Sequence, residues 1–286
     1  MNAPDPDGLL LIDKPSGITS HDAVAAVRRA LRTKKVGHAG TLDPMATGLL
    51  VIGVGRATRL LRFLGDLPKF YEGTFRLGVR TTTLDAEGEV VEETRVKVTP
   101  ADVAGAMAEL VGHSLQTPPA YSAVKVGGTK LYDAARRGET LVAAPRPVHV
   151  EAFDLTELAP PDASFRVVCG GGTYVRVLAA DVGDLLGCGS HLTRLRRTSI
   201  GAFSVTDATA PDDPGAPMPL ERAVAHLPRI DLEPEEAVAA RHGRALGPAG
   251  LAGPYAVFAP AGDLVGVYED DGAKARPSII LPPVQG

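Results

Sequence analysis

The sequence has no tryptophan, and aromatic residues make up only 5% of it. The two cysteines, Cys169 and Cys188, form neither a disulfide framework nor a Cys-x-x-Cys pair. Two free thiols in apolar, Gly-rich surroundings fit a reducing compartment, and a cytoplasmic protein is expected. Residues 1–8 are acidic and Pro-rich, without the basic start and apolar stretch of a signal peptide. The longest apolar run, around Leu49–Val54, is far too short to span a bilayer. Gly-x-x-x-x-Gly-Lys-Ser/Thr, His-Glu-x-x-His and Gly-x-Ser-x-Gly are all missing, which excludes a phosphate-binding loop, a zinc-protease helix and a nucleophile elbow. The 7 histidines are scattered without ligand spacing, so no metal is expected.

What is present is an ordinary globular balance of 44% hydrophobic and 22% charged residues over 286 positions. That length fits one main domain with a small second one. The formal net charge of −4 excludes a uniformly basic nucleic-acid coat protein. The charge is uneven, however: residues 1–200 sum to +2 and residues 201–286 to −6. Basic residues gather in three groups: Arg28 to Lys35, then Arg56, Arg59 and Arg62, then Arg194, Arg196 and Arg197. Each alone reads as a solvated face, but three around Gly-rich turns favour a polyanionic partner.

Hydrophobic periodicity places strands at 8–13, 49–54, 71–79, 149–158, 164–169 and 199–205. The strand at 71–79 is expected to pair with residues 89–92 through the 86–88 turn. A helix capped by Ser20 carries Val24, Val27 and Leu31, and one opening at Thr99-Pro100 carries Val103, Met107 and Leu110. Residues 172–176 are expected to extend a strand and 177–186 to form a helix. Residues 116–147 form a polar excursion, and the prolines at 211–219 a linker. Strands and helices mix without strict alternation, which predicts an α+β fold on a mixed sheet.

The segment Gly37-His38-Ala39-Gly40-Thr41-Leu42-Asp43-Pro44 stands out. Pro44 biases Asp43 toward an extended or turn conformation, and the flanking glycines allow close approach of a ligand. On pattern alone Asp43 reads more readily as an Asx-turn or helix cap than as an aimed carboxylate.

With Ala46-Thr47-Gly48, this segment closely resembles the signature of the TruB family, the bacterial tRNA pseudouridine-55 synthases. The resemblance continues through Leu11-Ile12-Asp13-Lys14-Pro15-Ser16-Gly17-Ile18-Thr19-Ser20, Lys69-Phe70-Tyr71 and Arg80-Thr81-Thr82-Thr83-Leu84-Asp85. Further blocks are Pro119 to Lys125, Gly128 to Tyr132, Gly172-Thr173-Tyr174-Val175-Arg176 and Leu195-Arg196-Arg197-Thr198. They stand in family order over about residues 8–205.

The resemblance implies an isomerase that detaches uridine 55 of the tRNA T-loop from its N1–C1′ bond and rejoins it through C5, without cofactor or metal. It implies Asp43 as nucleophile, Arg176 as its cationic partner, and Tyr71 against the target base. Tyr174 and Leu195 would line the uracil pocket, and His38 would take the place of the flipped-out base. The implied fold is the pseudouridine synthase fold: a mostly antiparallel central sheet flanked by helices, with a thumb insertion at 116–147. Residues 1–228 would form the catalytic domain and 229–286 a small β-rich PUA-like domain. The partner would be the T-stem and T-loop of tRNA, bound by a monomer. One departure is clear: Gly170-Gly171-Gly172 stands where many members carry Ser-Lys-Gly, so the lysine's contact is lost or supplied elsewhere.

Overall fold

A computed structural model describes residues 6–282. In chain order the first elements are β1 (Gly8–Lys14), α1 (Ser20–Leu31), β2 (Val36–Ala39), β3 (Thr47–Val54), β4 (Lys69–Leu77), β5 (Val79–Thr81) and β6 (Val90–Glu93). There follow α2 (Pro100–Glu109), β7 (Gly112–Gln116), β8 (Lys125–Val126), β9 (Thr129–Lys130), α3 (Leu131–Arg136), β10 (Arg146–Ala159) and β11 (Asp162–Cys169). The last are α4 (Val175–Leu185), β12 (Ser190–Ile200), β13 (Phe203–Ser204), β14 (Arg229–Asp231), α5 (Pro234–Arg241), β15 (Pro254–Phe258), β16 (Leu264–Asp271) and β17 (Lys274–Ile280).

The main sheet runs β1-β3-β12-β4-β11-β10-β7, with β2 added on β3 and β13 on β12. Only the short β3–β12 contact in it is parallel. The fold is therefore α+β with a mixed, mostly antiparallel sheet. β1 and β3 are buried on both faces, which explains their unbroken apolar runs. Leu9, Leu11, Leu49 and Val51 pack toward the C-terminal sheet, while Leu10, Ile12, Leu50 and Ile52 pack under Val24 and Val27 of α1. Farther along, α2 and α4 cover the other half of the sheet, with Val103, Met107, Leu178 and Val182 against Phe75, Phe165 and Leu192. A second sheet, β14-β15-β16-β17, closes the chain. Residues 117–145 leave the main sheet between β7 and β10 and carry the β8–β9 hairpin and α3.

Several local expectations are corrected. The cap of α1 is Thr19, in a reciprocal capping box with Asp22; Ser20 is buried and turns its hydroxyl to Leu42 instead. The first strand of the 71–79 pair ends at Leu77, because Gly78 at φ +81° turns the chain, and it is β5 that pairs with β6. Residues 172–174 form no strand; Tyr174 is the N-cap of α4, and Arg176 lies in its first turn. The longest surprise is β12, an 11-residue strand through the third basic group. Bulges between Leu192 and Arg194 and between Arg197 and Ser199 break its alternation, which is why periodicity misses it.

Two of the three basic groups are largely used inside the molecule. Arg56 donates to the carbonyl of Pro282 at 2.8 Å, Arg59 to that of Ile280 at 2.5 Å, and Arg62 to that of Ser278 at 3.3 Å. Arg196 pairs with Asp13 at 2.7 Å, and Arg197 is buried. Both cysteines are buried and free, and burial pushes the Cys169 thiol up to about 11. Among the described residues, no helix is long and apolar enough to cross a membrane.

Candidate active site

Asp43 sits on the loop between β2 and β3, and that loop is tied down from three directions. The Ser20 hydroxyl, at the start of α1, accepts from the Leu42 N–H at 2.9 Å and donates to the Leu42 carbonyl at 3.1 Å. Lys14, fully buried at the end of β1, donates to the carbonyls of Pro15, Ile18 and Pro44 at 2.9, 2.8 and 3.2 Å. Burial lowers its ammonium to about 8. The Gly17 N–H adds a bond to the Pro44 carbonyl at 2.9 Å. These bonds explain why the first loop and the Asp43 loop carry matching sequence blocks: they are one unit.

Arg176 projects from the first turn of α4 onto the same point and is 3% exposed. Its Nε lies 2.9 Å from Asp43 Oδ2, and its Nη2 donates to Asp43 Oδ1 at 3.2 Å. The guanidinium also donates to the carbonyls of Thr83 at 2.8 Å and Tyr121 at 2.9 Å. Its Nη1 lies 3.2 Å from Oδ2 of Asp85, a second buried carboxylate. One cation thus serves two acids. Burial pushes the Asp43 carboxyl above the ordinary aspartate range; Arg176 opposes this and Asp85 adds to it.

A cavity of about 260 Å³ opens beside Asp43, with Tyr71, Tyr174, Arg176, Leu195 and Arg197 in its wall. Tyr71 comes from β4 and Leu195 from β12, so the paired central strands form one side. Burial raises the Tyr71 phenol, and the Arg197 guanidinium, 6.0 Å from its ring centroid, opposes the shift. Tyr174 is held by its backbone: Gln116 accepts from its N–H at 2.7 Å and donates to its carbonyl at 3.2 Å. Arg146 stacks over the Tyr174 ring at 4.8 Å. A second cavity of about 440 Å³ adjoins the first at Asp43 and Arg176 and is roofed by Lys130, Tyr132 and Arg136 of the 117–145 excursion.

Five of the six expected residues, Asp43, Tyr71, Arg176, Tyr174 and Leu195, therefore meet in one cavity. His38 does not line it. It lies on β2, edge-on to His21 at 5.5 Å, with a buried Nδ1 that has no hydrogen-bond partner. Asp85, Lys69, Gln116 and Arg197 escaped the residue-level reading. Asp85 is aimed inward by Leu84 at φ +65°, a backbone state that no sequence period announces.

Three family models match this chain. "TruB family pseudouridylate synthase (N terminal domain)" covers residues 28–175. "tRNA pseudouridylate synthase B C-terminal domain" covers 176–212, and "tRNA Pseudouridine synthase II, C terminal" covers 227–282. The chain belongs to the TruB family. Relatives named tRNA pseudouridine synthase B from Mycobacterium sp. (strain KMS) and Thermobifida fusca (strain YX) are each 46% identical over 96% of this chain, covering 96% and 98% of their own lengths. A chain in the crystal structure of the archaeal box H/ACA sRNP Nop10-Cbf5 complex superposes with a TM-score of 0.75 at 25% identity, over 98% of this chain and 88% of that one. This TruB family member differs from the motif described above at Gly171. A Cβ there would stand 2.2 Å from the Gly65 carbonyl oxygen and 3.4 Å from Lys69 Nζ. The backbone here has no room for a side chain at 171, and the ammonium nearest that point belongs to Lys69.

Proposed function

We propose that this isomerase converts uridine 55 of the tRNA T-loop to pseudouridine, with Asp43 as nucleophile. The observation that carries the reading is the carboxylate of Asp43, fixed on a rigid loop against Arg176 and opening into a cavity walled by Tyr71 and Leu195. Pairing with a buried guanidinium keeps a desolvated carboxylate available as its anion. The cavity is a suitable size for one heterocyclic ring, and Tyr71 and Leu195 offer flat apolar contact to its faces. The Tyr71 hydroxyl is the group placed to carry the proton that leaves C5 after the ring has turned.

A base inside a folded loop must leave its stack to enter such a cavity, at a cost of about a few kcal/mol. His38, with an unpartnered ring nitrogen beside the loop of Asp43, is assigned to fill the space the base leaves. Lys130 and Arg136, over the second cavity, favour the 117–145 excursion as a thumb that holds RNA phosphates. Residues 1–228 are read as the catalytic domain and 229–286 as a PUA-like domain, acting as a monomer in the cytoplasm.

The test is to map pseudouridine in tRNA incubated with wild-type and Asp43→Asn protein. Wild type should convert position 55 and the variant should not. Equal conversion by both would remove Asp43 from its role; tight binding without conversion by wild type would point to an RNA-folding factor.

A further inference from the structure

We infer that Arg197 holds the negative charge that the uracil ring carries while it is detached from the sugar; this rests on the isomerase reading above. Arg197 is 1% exposed and the largest fully buried side chain among the described residues. It lies on β12 two positions after Leu195, and its guanidinium reaches the same cavity as Asp43 and Tyr71. Nε donates to the Leu49 carbonyl at 2.7 Å and Nη2 to the Gly40 carbonyl at 3.1 Å. The Tyr71 hydroxyl lies within hydrogen-bond reach of the guanidinium, and a Cβ at Gly40 would stand 3.5 Å from Nη1. The bare glycine leaves that nitrogen uncovered.

No carboxylate pairs with this cation among the described residues, in contrast to Arg176, which already faces Asp43 and Asp85. A guanidinium keeps its proton in a protein, so the charge is permanent. A buried charge held only by neutral oxygens is costly, and it is suited to an anion that arrives during the reaction. The chemistry supplies one. When the N1–C1′ bond breaks, its electron pair stays on the ring and spreads over N1, O2 and O4. C1′ either bonds to Asp43 Oδ or becomes doubly bonded to C2′ as C2′ gives up its proton to a base. The ring then turns, C5 forms the new bond to C1′ with that electron pair as the Asp43 Oδ–C1′ bond breaks or C2′ regains its proton, the C5 proton leaves to a base, and N1 takes up a proton. Between the two steps the ring is a monoanion, next to a guanidinium that has no acid partner among the described residues and faces the Tyr71 ring at 6.0 Å.

The experiment compares wild type, Arg197→Met and Arg197→Lys under single turnover on T-arm RNAs with uridine or 5-fluorouridine at the target, following consumption of that nucleoside. Fluorine withdraws electron density and stabilises the ring anion without help from the protein. Arg197→Met should slow uridine consumption by about 100-fold or more and 5-fluorouridine consumption by only about tenfold. KM should be unchanged, and Arg197→Lys should fall between. If far-UV circular dichroism shows that Arg197→Met fails to fold, Arg197→Lys carries the same comparison, again losing more with uridine. Equal loss on both targets, or a loss confined to KM, overturns the inference, since a structural tie or a phosphate contact would behave that way. A wild type that consumes neither target overturns the isomerase reading instead.

Discussion

Asp43 shows how function and stability separate at one residue. Its folded-state carboxyl holds a proton more tightly than an ordinary aspartate, because burial and Asp85 outweigh Arg176. The raised value means that ionisation costs stability as pH rises from the ordinary value through the folded one. Asp43→Asn removes the charge and keeps the shape. It is expected to match or exceed wild type in melting temperature at pH 7 while losing pseudouridine formation; calorimetry alongside nucleoside analysis checks both. The same shift fixes the acidic limb of the rate profile. The proposed nucleophilic role needs Asp43 ionised, so kcat/KM should fall as pH drops, with a midpoint above the ordinary aspartate pKa of about 3.9. A midpoint at or below that value would separate the limb from Asp43.

At the scale of elements, the site depends on joints between strands, helices and loops. Ser20 is the clearest: among the described residues its hydroxyl is the only partner of the Leu42 N–H, which is buried one residue before Asp43. Ser20→Ala leaves that donor unsatisfied and should cost about 1–3 kcal/mol, read from the denaturant midpoint, together with a drop in kcat as the loop loosens. Gly171→Ala tests a second joint. Its new methyl meets a backbone oxygen at 2.2 Å and cannot be relieved by a side-chain rotation, so a loss of about 1–3 kcal/mol is expected. These joints also explain what the sequence made legible. Strands with a clean apolar run, β1 and β3, and the helix opened by Thr99-Pro100 follow from periodicity and capping alone. β12 does not, because two bulges and seven arginine or hydroxyl residues disguise a central strand. Asp43, Tyr71 and Arg176 were legible only through ordered motif blocks, since an Asp before a proline is an ordinary turn signal. Asp85 and Arg197 stood inside quoted blocks, yet their roles depend on one left-handed backbone angle and on which face of a bulged strand is buried.

For the whole molecule, the question is which of its positive charges face outward. The net −4 and the three basic groups count charge without saying where it points. Arg56, Arg59 and Arg62 bind carbonyls of residues 278–282, above an apolar cluster that joins Leu60 and Leu64 to Phe258, Leu264 and Ile279. These arginines hold the two sheets together. Arg28, Arg29, Arg32, Lys34 and Lys35 are instead exposed at the C-terminal end of α1. Helix α1 begins at the Ser20–Leu42 joint, and its 12 residues rise about 18 Å. The exposed group therefore stands roughly that far from the Asp43 loop, a distance that duplex RNA adjoining a loop would cross. Two opposite outcomes follow from one map. Replacing Arg29 and Arg32 with Gln should lower the slope of log affinity against log salt by about one to two while leaving the melting temperature within a degree or so, as phosphate contacts at an exposed surface require. Replacing Arg59 and Arg62 with Gln should leave the salt slope unchanged and lower the melting temperature, because it loosens the C-terminal sheet. Filter binding across a salt series and calorimetry on both variants decide it: if the second pair moves the salt slope and the first does not, the assignment of the two basic groups is reversed.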